Sequence, residues 1–414
     1  MTTFAKSISR VAMLISLAIG HVGFAQLSVK EVIRDPANAS APARTKTILS
    51  QSQNKMIVDE HLYFSPYNTY SDGHGQLLAN NVREGSSYAM WNNPGAYLKT
   101  TFTGTSATLD IEVTGNPLEQ PAKLRWSIDD APWTTERVSF GKHSQVVATS
   151  LSKGIHSLVL IYAASDENVS RWRDPVAALK IYGINLDEGE TLADPARSSA
   201  LPKKNVIFFG DSITEGAWVY GNSNRRIDRK YIDWVLYSDA SVAWPRAVAA
   251  ALGAEYGTCG FGGTGWITSP NPYVPPLPQS WNSYFKDQAR LENGKLDPSP
   301  DYVIVNLGTN DPDQDLSGVI EGWFQKVRIA TESTVPIVVL VPFNGHNRAS
   351  LKEAVEAIHD LHVHFIDLGP DWSYGVSNYG HASMRSMDGL HPSAEATAEY
   401  AAAIAASIAR VVDR

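Results

Sequence analysis

The sequence predicts an α/β domain built on a parallel sheet and preceded by an all-β domain of the β-sandwich, jelly-roll-like kind. Three observations carry this. Short runs that alternate apolar and polar residues fill the first half without a helical pattern. From Lys203 onward, continuous apolar runs alternate with helical ones. The length of 414 residues suits two domains better than one.

In chain order, residues 1–25 read as a signal peptide. Lys6 and Arg10 form a short basic region, Val11–Gly20 is apolar, and Gly23-Phe24-Ala25 offers small residues for a cut after Ala25. The apolar run is too short for a membrane span. Periplasmic or secreted location follows as the expectation, with no integral membrane segment after cleavage. Cleavage removes two basic residues from a net charge of −8 and leaves −10. That balance, without a dense basic run, argues against a nucleic-acid partner. The single cysteine, Cys259, permits no intramolecular disulfide, so an exported chain must rely on core packing.

Residues 26–55 are polar and read as a lead-in segment or a peripheral first strand. Residues 56–186 hold the β-sandwich runs: Ser87–Trp91, Ala96–Phe102, Ala107–Val113, Leu124–Ile128, Leu158–Tyr162 and Leu179–Ile184. Turn residues such as Asn93-Pro94-Gly95 and Lys153-Gly154 separate them. Residues 187–202 are acidic, contain Ala, Ser and Pro, and read as a linker. In residues 203–414, Val206–Phe209, Tyr302–Val305 and Ile337–Val341 are continuous apolar runs, as strands buried on both faces require, and Val363–Ile366 is a further such run interrupted by His364. Helical patterns at Trp244–Leu252, Leu316–Ala330, Ala349–Leu361 and from Ser393 lie between and after them.

Four segments carry chemistry. Gly210-Asp211-Ser212-Ile213-Thr214 follows the first buried strand, at the edge where open α/β sheets place their sites. A serine hydroxyl needs a base. His391, in Asp388-Gly389-Leu390-His391-Pro392, supplies one, and Asp388 would orient its ring. Asn310, in Gly308-Thr309-Asn310-Asp311, ends another buried strand and offers a side-chain amide to an oxyanion. Gly262-Gly263-Thr264-Gly265 offers a backbone amide with close access. Nucleophile, base, orienter and the Ser212, Gly263 and Asn310 donors together make the inventory for acyl transfer. No cofactor or metal is required.

Taken in order, the blocks around Ser212, Gly263, Asn310 and His391 resemble those of the SGNH/GDSL hydrolase superfamily, over roughly residues 203–412. The resemblance implies a flavodoxin-like three-layer α/β/α sandwich with strand order 2-1-3-4-5, which would bring Ser212 and Asn310 together at the switch point. Gly262 is the alternative to Gly263 as the oxyanion glycine. The layout of a β-sandwich followed by such a domain is similar to carbohydrate esterase family two. It implies a serine esterase removing acetyl or other short acyl groups from sugar hydroxyls, with an acylated poly- or oligosaccharide as partner. Some enzymes of that kind lack the acidic triad member; the presence of Asp388 here points to a full triad.

Two insertions are expected to wall the pocket. One is Val219–Ser241, with Tyr220, Tyr231, Trp234 and Tyr237; the other is Ser269–Trp281. Trp218, Trp266 and Trp281 are the candidate substrate-binding aromatics, whereas Trp126 and Cys259 read as core. His359, His362 and His364 straddle a helix end and a strand start and would not share a face for a metal. Asp211 and Asp311 read as turn-shaping. The rival functions are a lipase, a thioesterase, an acetyltransferase passing its acyl group to a sugar, or a non-catalytic glycan-binding protein.

Overall fold

The computed structural model describes residues 46–47, 62–70, 88–115, 120–173, 177–193, 202, 204–221, 233–269, 274–369, 372 and 390–412. The expected signal peptide lies outside these residues, as do Tyr231, Asp388 and almost all of the lead-in segment. Among the described residues no helix is long and apolar enough to cross a membrane.

The first half forms two antiparallel sheets. One contains β1 (Lys46–Thr47), β3 (Ala89–Trp91), β5 (Ala107–Val113), β8 (Gly141–Ala148) and β10 (Leu179–Leu186), with the path β1-β10-β5-β8 and β3 added on β10. The other contains β2 (Leu62–Phe64), β4 (Tyr97–Gly104), β6 (Lys123–Ile128), β7 (Thr134–Arg137), β9 (Gly154–Ala164) and β11 (Leu192–Ala193). Its path is β11-β4-β9-β6-β7, with β2 on β4. β11 lies within the stretch expected as a linker and pairs with Thr101 and Phe102 of β4.

Period-two patterning builds the sandwich. Leu109, Ile111 and Val113 of β5 and Leu124 and Trp126 of β6 share one buried core, while Asp110 and Glu112 face outward. The outward face of the second sheet is not solvated. Lys123 and Arg125 of β6 are buried against the α/β half: Arg125 Nη1 donates to Asp239 Oδ2 at 2.8 Å and to Ser241 Oγ at 2.7 Å. Tyr97 and Lys99 of β4 bind the buried carboxylate of Glu255 at 2.5 and 2.6 Å. Ile161 of β9 joins the core of the other half outright.

The second half holds a parallel sheet of β12 (Lys204–Gly210), β13 (Ala254–Gly260), β18 (Tyr302–Asn306), β19 (Ile337–Leu340) and β20 (Val363–Ile366). Two small hairpins intervene, β14 (Ser283–Phe285) with β15 (Gln288–Ala289) and β16 (Leu291–Glu292) with β17 (Lys295–Leu296). The sheet order is β13-β12-β18-β19-β20, the expected 2-1-3-4-5. Helices α1 (Trp244–Ala251), α2 (Ser317–Ala330), α3 (Arg348–Ile358) and α4 (Ala394–Val412) cover it.

Alternate residues of each strand pack on opposite layers. Ile207, Phe209, Val303 and Val339 meet α2 and α3, whereas Val206, Phe208, Ile304 and Val338 meet α1 and α4. This is the three-layer α/β/α arrangement. Gly210 pairs in register with both Gly260 and Asn306, so the first three strands end level. The segments that follow them open onto one edge.

Candidate active site

Ser212 stands two residues beyond the end of β12. The chain leaves the strand in a run of turns from Asp211 to Tyr220. The Thr214 and Glu215 amides donate to Asp211 O, and the Ala217 amide donates to Ser212 O. Gly210 makes the tight exit possible: a Cβ there would lie 1.9 Å from Thr214 Oγ1 and 2.9 Å from the Asn306 carbonyl oxygen.

His391 precedes α4, and the Ala394 amide at the start of that helix donates to Val219 O, holding the two segments together. His391 Nε2 lies 2.9 Å from Ser212 Oγ. Both residues are buried, at 4% and 5% exposure. A hydroxyl and an imidazole 179 positions apart in sequence are thus within hydrogen-bond distance at the carboxyl edge of the sheet.

The second block forms a β-turn closed by the Thr264 amide on Phe261 O, with Gly263 at φ +75° in the third position. That conformation favours glycine. Asn310 lies beside it. Its Nδ2 donates to Thr264 O at 2.9 Å and to Asp211 Oδ2 at 3.3 Å. Asp211 also accepts from the Ile213 amide at 3.0 Å. Burial pushes the Asp211 carboxyl up to about 7, helped by the charges of Glu215 and Asp311 and opposed by the Ile213 bond and by His391. Asp311 accepts from the amides of Trp266, Ile267 and Thr268 at 2.7, 3.0 and 3.1 Å, which shapes the loop after the second block.

The tryptophans correct the sequence reading. Trp266 and Trp281 are 1% and 5% exposed and belong to the core beneath the sheet edge. Trp266 donates its indole N–H to Leu307 O and packs against Trp323 at 5.4 Å; Trp281 packs on Phe209 and Trp323. Their neighbourhood to the second block in sequence does not make them a sugar platform. Trp218, at 4% exposure and φ +57°, packs at a tilt against Trp234 at 5.1 Å and Tyr237 at 4.9 Å, fastening the aromatic insertion onto the Ser212 turn. Cys259 is buried in the core, and burial pushes its thiol up to about 11, which fits packing and not nucleophilic chemistry.

The β-sandwich reaches this edge too, and nothing in the sequence patterning announces it. Arg171, on the segment after β9, forms a two-pronged ion pair with Glu215, Nη1 to Oε1 at 2.5 Å and Nη2 to Oε2 at 3.0 Å. Both side chains are 3% exposed. Asn93 Nδ2 donates to Gly260 O at 2.5 Å and lies 3.5 Å from Glu215 Oε1. Trp172 meets Phe261 edge-on at 5.7 Å.

A buried serine–histidine pair on the switch-point edge of a 2-1-3-4-5 sheet defines a hydrolase-type site on a flavodoxin-like frame. Residues 208–398 match the GDSL-like Lipase/Acylhydrolase family, and a β-rich domain precedes this segment. Among solved structures, a family two carbohydrate esterase from Cellvibrio japonicus is similar over 86% of this chain and 96% of its own, with a TM-score of 0.66 and 17% identity. A family two carbohydrate esterase from Clostridium thermocellum in complex with cellohexaose is similar over 85% and 99%, with a TM-score of 0.64 and 19% identity. An acetyl xylan esterase from the rumen bacterium Butyrivibrio proteoclasticus is similar over 86% and 98%, with a TM-score of 0.64 and 17% identity. At these identities the likeness establishes the shared two-domain fold. No curated protein sequence matches the chain.

Proposed function

We propose that this protein is a secreted serine esterase that removes acetyl or other short acyl groups from carbohydrate hydroxyls. The observation that carries the reading is the 2.9 Å separation of His391 Nε2 and Ser212 Oγ. His391 takes the Ser212 proton as Oγ attacks the ester carbonyl, giving a tetrahedral intermediate. The Ser212 and Gly263 amides (or Gly262 in place of Gly263) and the Asn310 side chain bind the oxyanion. Asn310 shifts part of its donation from Thr264 O or Asp211 to do so. Collapse expels the sugar oxygen, which takes the proton from His391. Water then attacks the acyl-enzyme by the reverse sequence and releases the acid. Asp388 holds the imidazole ring in its working orientation.

Carbohydrate as the alcohol half is supported by the two-domain fold shared with esterases of family two. Export is supported by the basic and apolar start of the chain with small residues before Gln26. The test is acetate release from acetylated polysaccharides and from 4-nitrophenyl acetate by the wild type and Ser212→Ala. Release from both, lost in the variant, is the expected result. A polysaccharide activity that survives Ser212→Ala refutes the mechanism, and activity on the aryl ester alone refutes the carbohydrate assignment.

A further inference from the structure

The segment from Ser165 to Trp172 belongs to the β-sandwich yet lies against the second block of the hydrolase half. Its anchors are the Arg171–Glu215 ion pair, the Trp172–Phe261 contact and the Asn92 amide, which donates to Arg171 O at 2.9 Å. Between these anchors and the start of the segment stands Glu167. Its carboxyl sits directly on Gly262: a Cβ at that glycine would lie 2.8 Å from Glu167 Cδ and 2.9 and 3.0 Å from its two oxygens. The second block therefore leaves room for this carboxyl.

The Glu167 carboxyl is uncommitted on one oxygen. Its Oε1 is buried without a hydrogen-bond partner among the described residues. The nearby guanidinium offers Nη1 and Nη2 to Glu215 instead. The residue as a whole is only partly buried. It also lies within electrostatic reach of His391. In ester cleavage, the group that protonates the leaving oxygen stands beside the alcohol half of the substrate. A carboxyl that adjoins the second block and lies within electrostatic reach of His391 is placed toward that half as well.

On the carbohydrate-esterase reading, we propose that Glu167, delivered by the β-sandwich, binds a free hydroxyl of the sugar next to the ester and so determines specificity for the alcohol half. A carboxyl lacking a protein donor among the described residues is a natural hydrogen-bond partner for a neutral hydroxyl. The β-sandwich is then part of the substrate site and not only a neighbour. Burial, reinforced by the charge of Glu215 and opposed by His391 and Arg171, pushes this carboxyl up to about 7, as expected for a group held without a partner until substrate arrives.

The test compares Glu167→Gln and Glu167→Ala with wild type on an acetylated oligosaccharide and on 4-nitrophenyl acetate, which carries no sugar hydroxyl. Thermal melts verify that each variant is folded. Glu167→Ala is expected to raise KM for the saccharide and to lower the preference for saccharide over aryl ester, as a ratio of kcat/KM, by about tenfold or more. Glu167→Gln, which retains an acceptor oxygen, recovers part of that preference. An unchanged ratio overturns the proposal, as does an equal fall in kcat on both esters, which would assign Glu167 to His391 instead. If the wild type releases acetate from the aryl ester and from no saccharide, the carbohydrate reading fails and this proposal with it. That outcome is distinct from a working saccharide esterase indifferent to residue 167.

Discussion

Replacing Arg171 with Met isolates what the β-sandwich contributes to the hydrolase half. Glu215 lies three residues after Ser212, and both its carboxylate oxygens are bound by Arg171 in a setting where each side chain is 3% exposed. In Arg171→Met the only remaining donor to Glu215 among the described residues is Asn93 Nδ2, at 3.5 Å the limit of a useful bond. A buried carboxylate stripped of its cation costs about 3–5 kcal/mol. For the compact unit Pro42–Arg414, an unfolding entropy of ~2.1 cal/mol/K per residue sums to about 0.8 kcal/mol/K, so this loss corresponds to a fall in Tm of about 4–6 °C. Calorimetric melts and urea titrations of Arg171→Met, Glu215→Leu and the double variant measure it as a cycle. The double variant, which has no orphaned charge, recovers most of the loss, giving a coupling of about 3 kcal/mol. Turnover on 4-nitrophenyl acetate falls in the single variants because the turn that carries Ser212 loses its brace. A single-variant loss under about 1 kcal/mol, or additive losses in the double, refutes the claim that this pair fastens the sandwich to the catalytic turn.

Asp388→Asn lowers kcat by about 10³–10⁴ if Asp388 holds the His391 ring; near-normal turnover would leave a Ser–His pair oriented by another group. Asn310→Ala lowers turnover by about 10²–10³ if its amide serves the oxyanion, and a negligible loss in steady-state kinetics removes it from that role. Burial pushes the Glu167 carboxyl up to about 7 in the folded protein, whereas a free glutamate ionises near 4.5. Its preference for the neutral form stabilises the fold fully below about pH 4.5 and fades as pH rises through 7. Wild type therefore loses stability relative to Glu167→Gln between pH 5 and 8, by up to about 3 kcal/mol. Urea midpoints of both proteins at the two pH values test this, and a slope of the opposite sign refutes it.

The strands of both halves were legible because each half wrote its own period. Ala107–Val113 and Val363–Ile366 occur as the alternating and continuous apolar runs predict. The sheet order followed from the resemblance of four blocks, and the level ends at Gly260, Gly210 and Asn306 explain why those blocks converge. The misreadings share a physical cause. Sequence position says where a residue emerges from the fold but not which way its side chain points. Trp266 follows Gly265 and turns into the core, where its indole N–H donates to Leu307 O. Along β6, Lys123 and Arg125 alternate with the core residues Leu124 and Trp126 and face out of the sandwich, yet outward from the sandwich is inward to the molecule, where Arg125 meets Asp239. Glu167 and Arg171 left no local signal at all, since their meaning depends on a partner half that begins more than thirty residues later.

Those long-range contacts also settle how three carboxyls can surround one serine–histidine pair. Acyl transfer places new negative charge on the carbonyl oxygen, and fixed carboxylates nearby would oppose it. Each of the three has its charge countered in a different way. Glu215 is matched by Arg171 in a closed pair. Asp211 is fully buried and pushed up to about 7, and it spends its oxygens on the Ile213 amide and Asn310. Glu167 reaches about 7 through burial and the Glu215 charge, with Oε1 unpartnered. A sandwich that supplied only a scaffold would have no reason to deliver an arginine and an uncommitted carboxyl to the same edge. Supplying the cation that neutralises Glu215 and the acceptor that faces the leaving alcohol makes it a working part of the hydrolase, and explains why its second sheet is joined to the α/β half by buried ion pairs such as Arg125–Asp239 and by a shared apolar core.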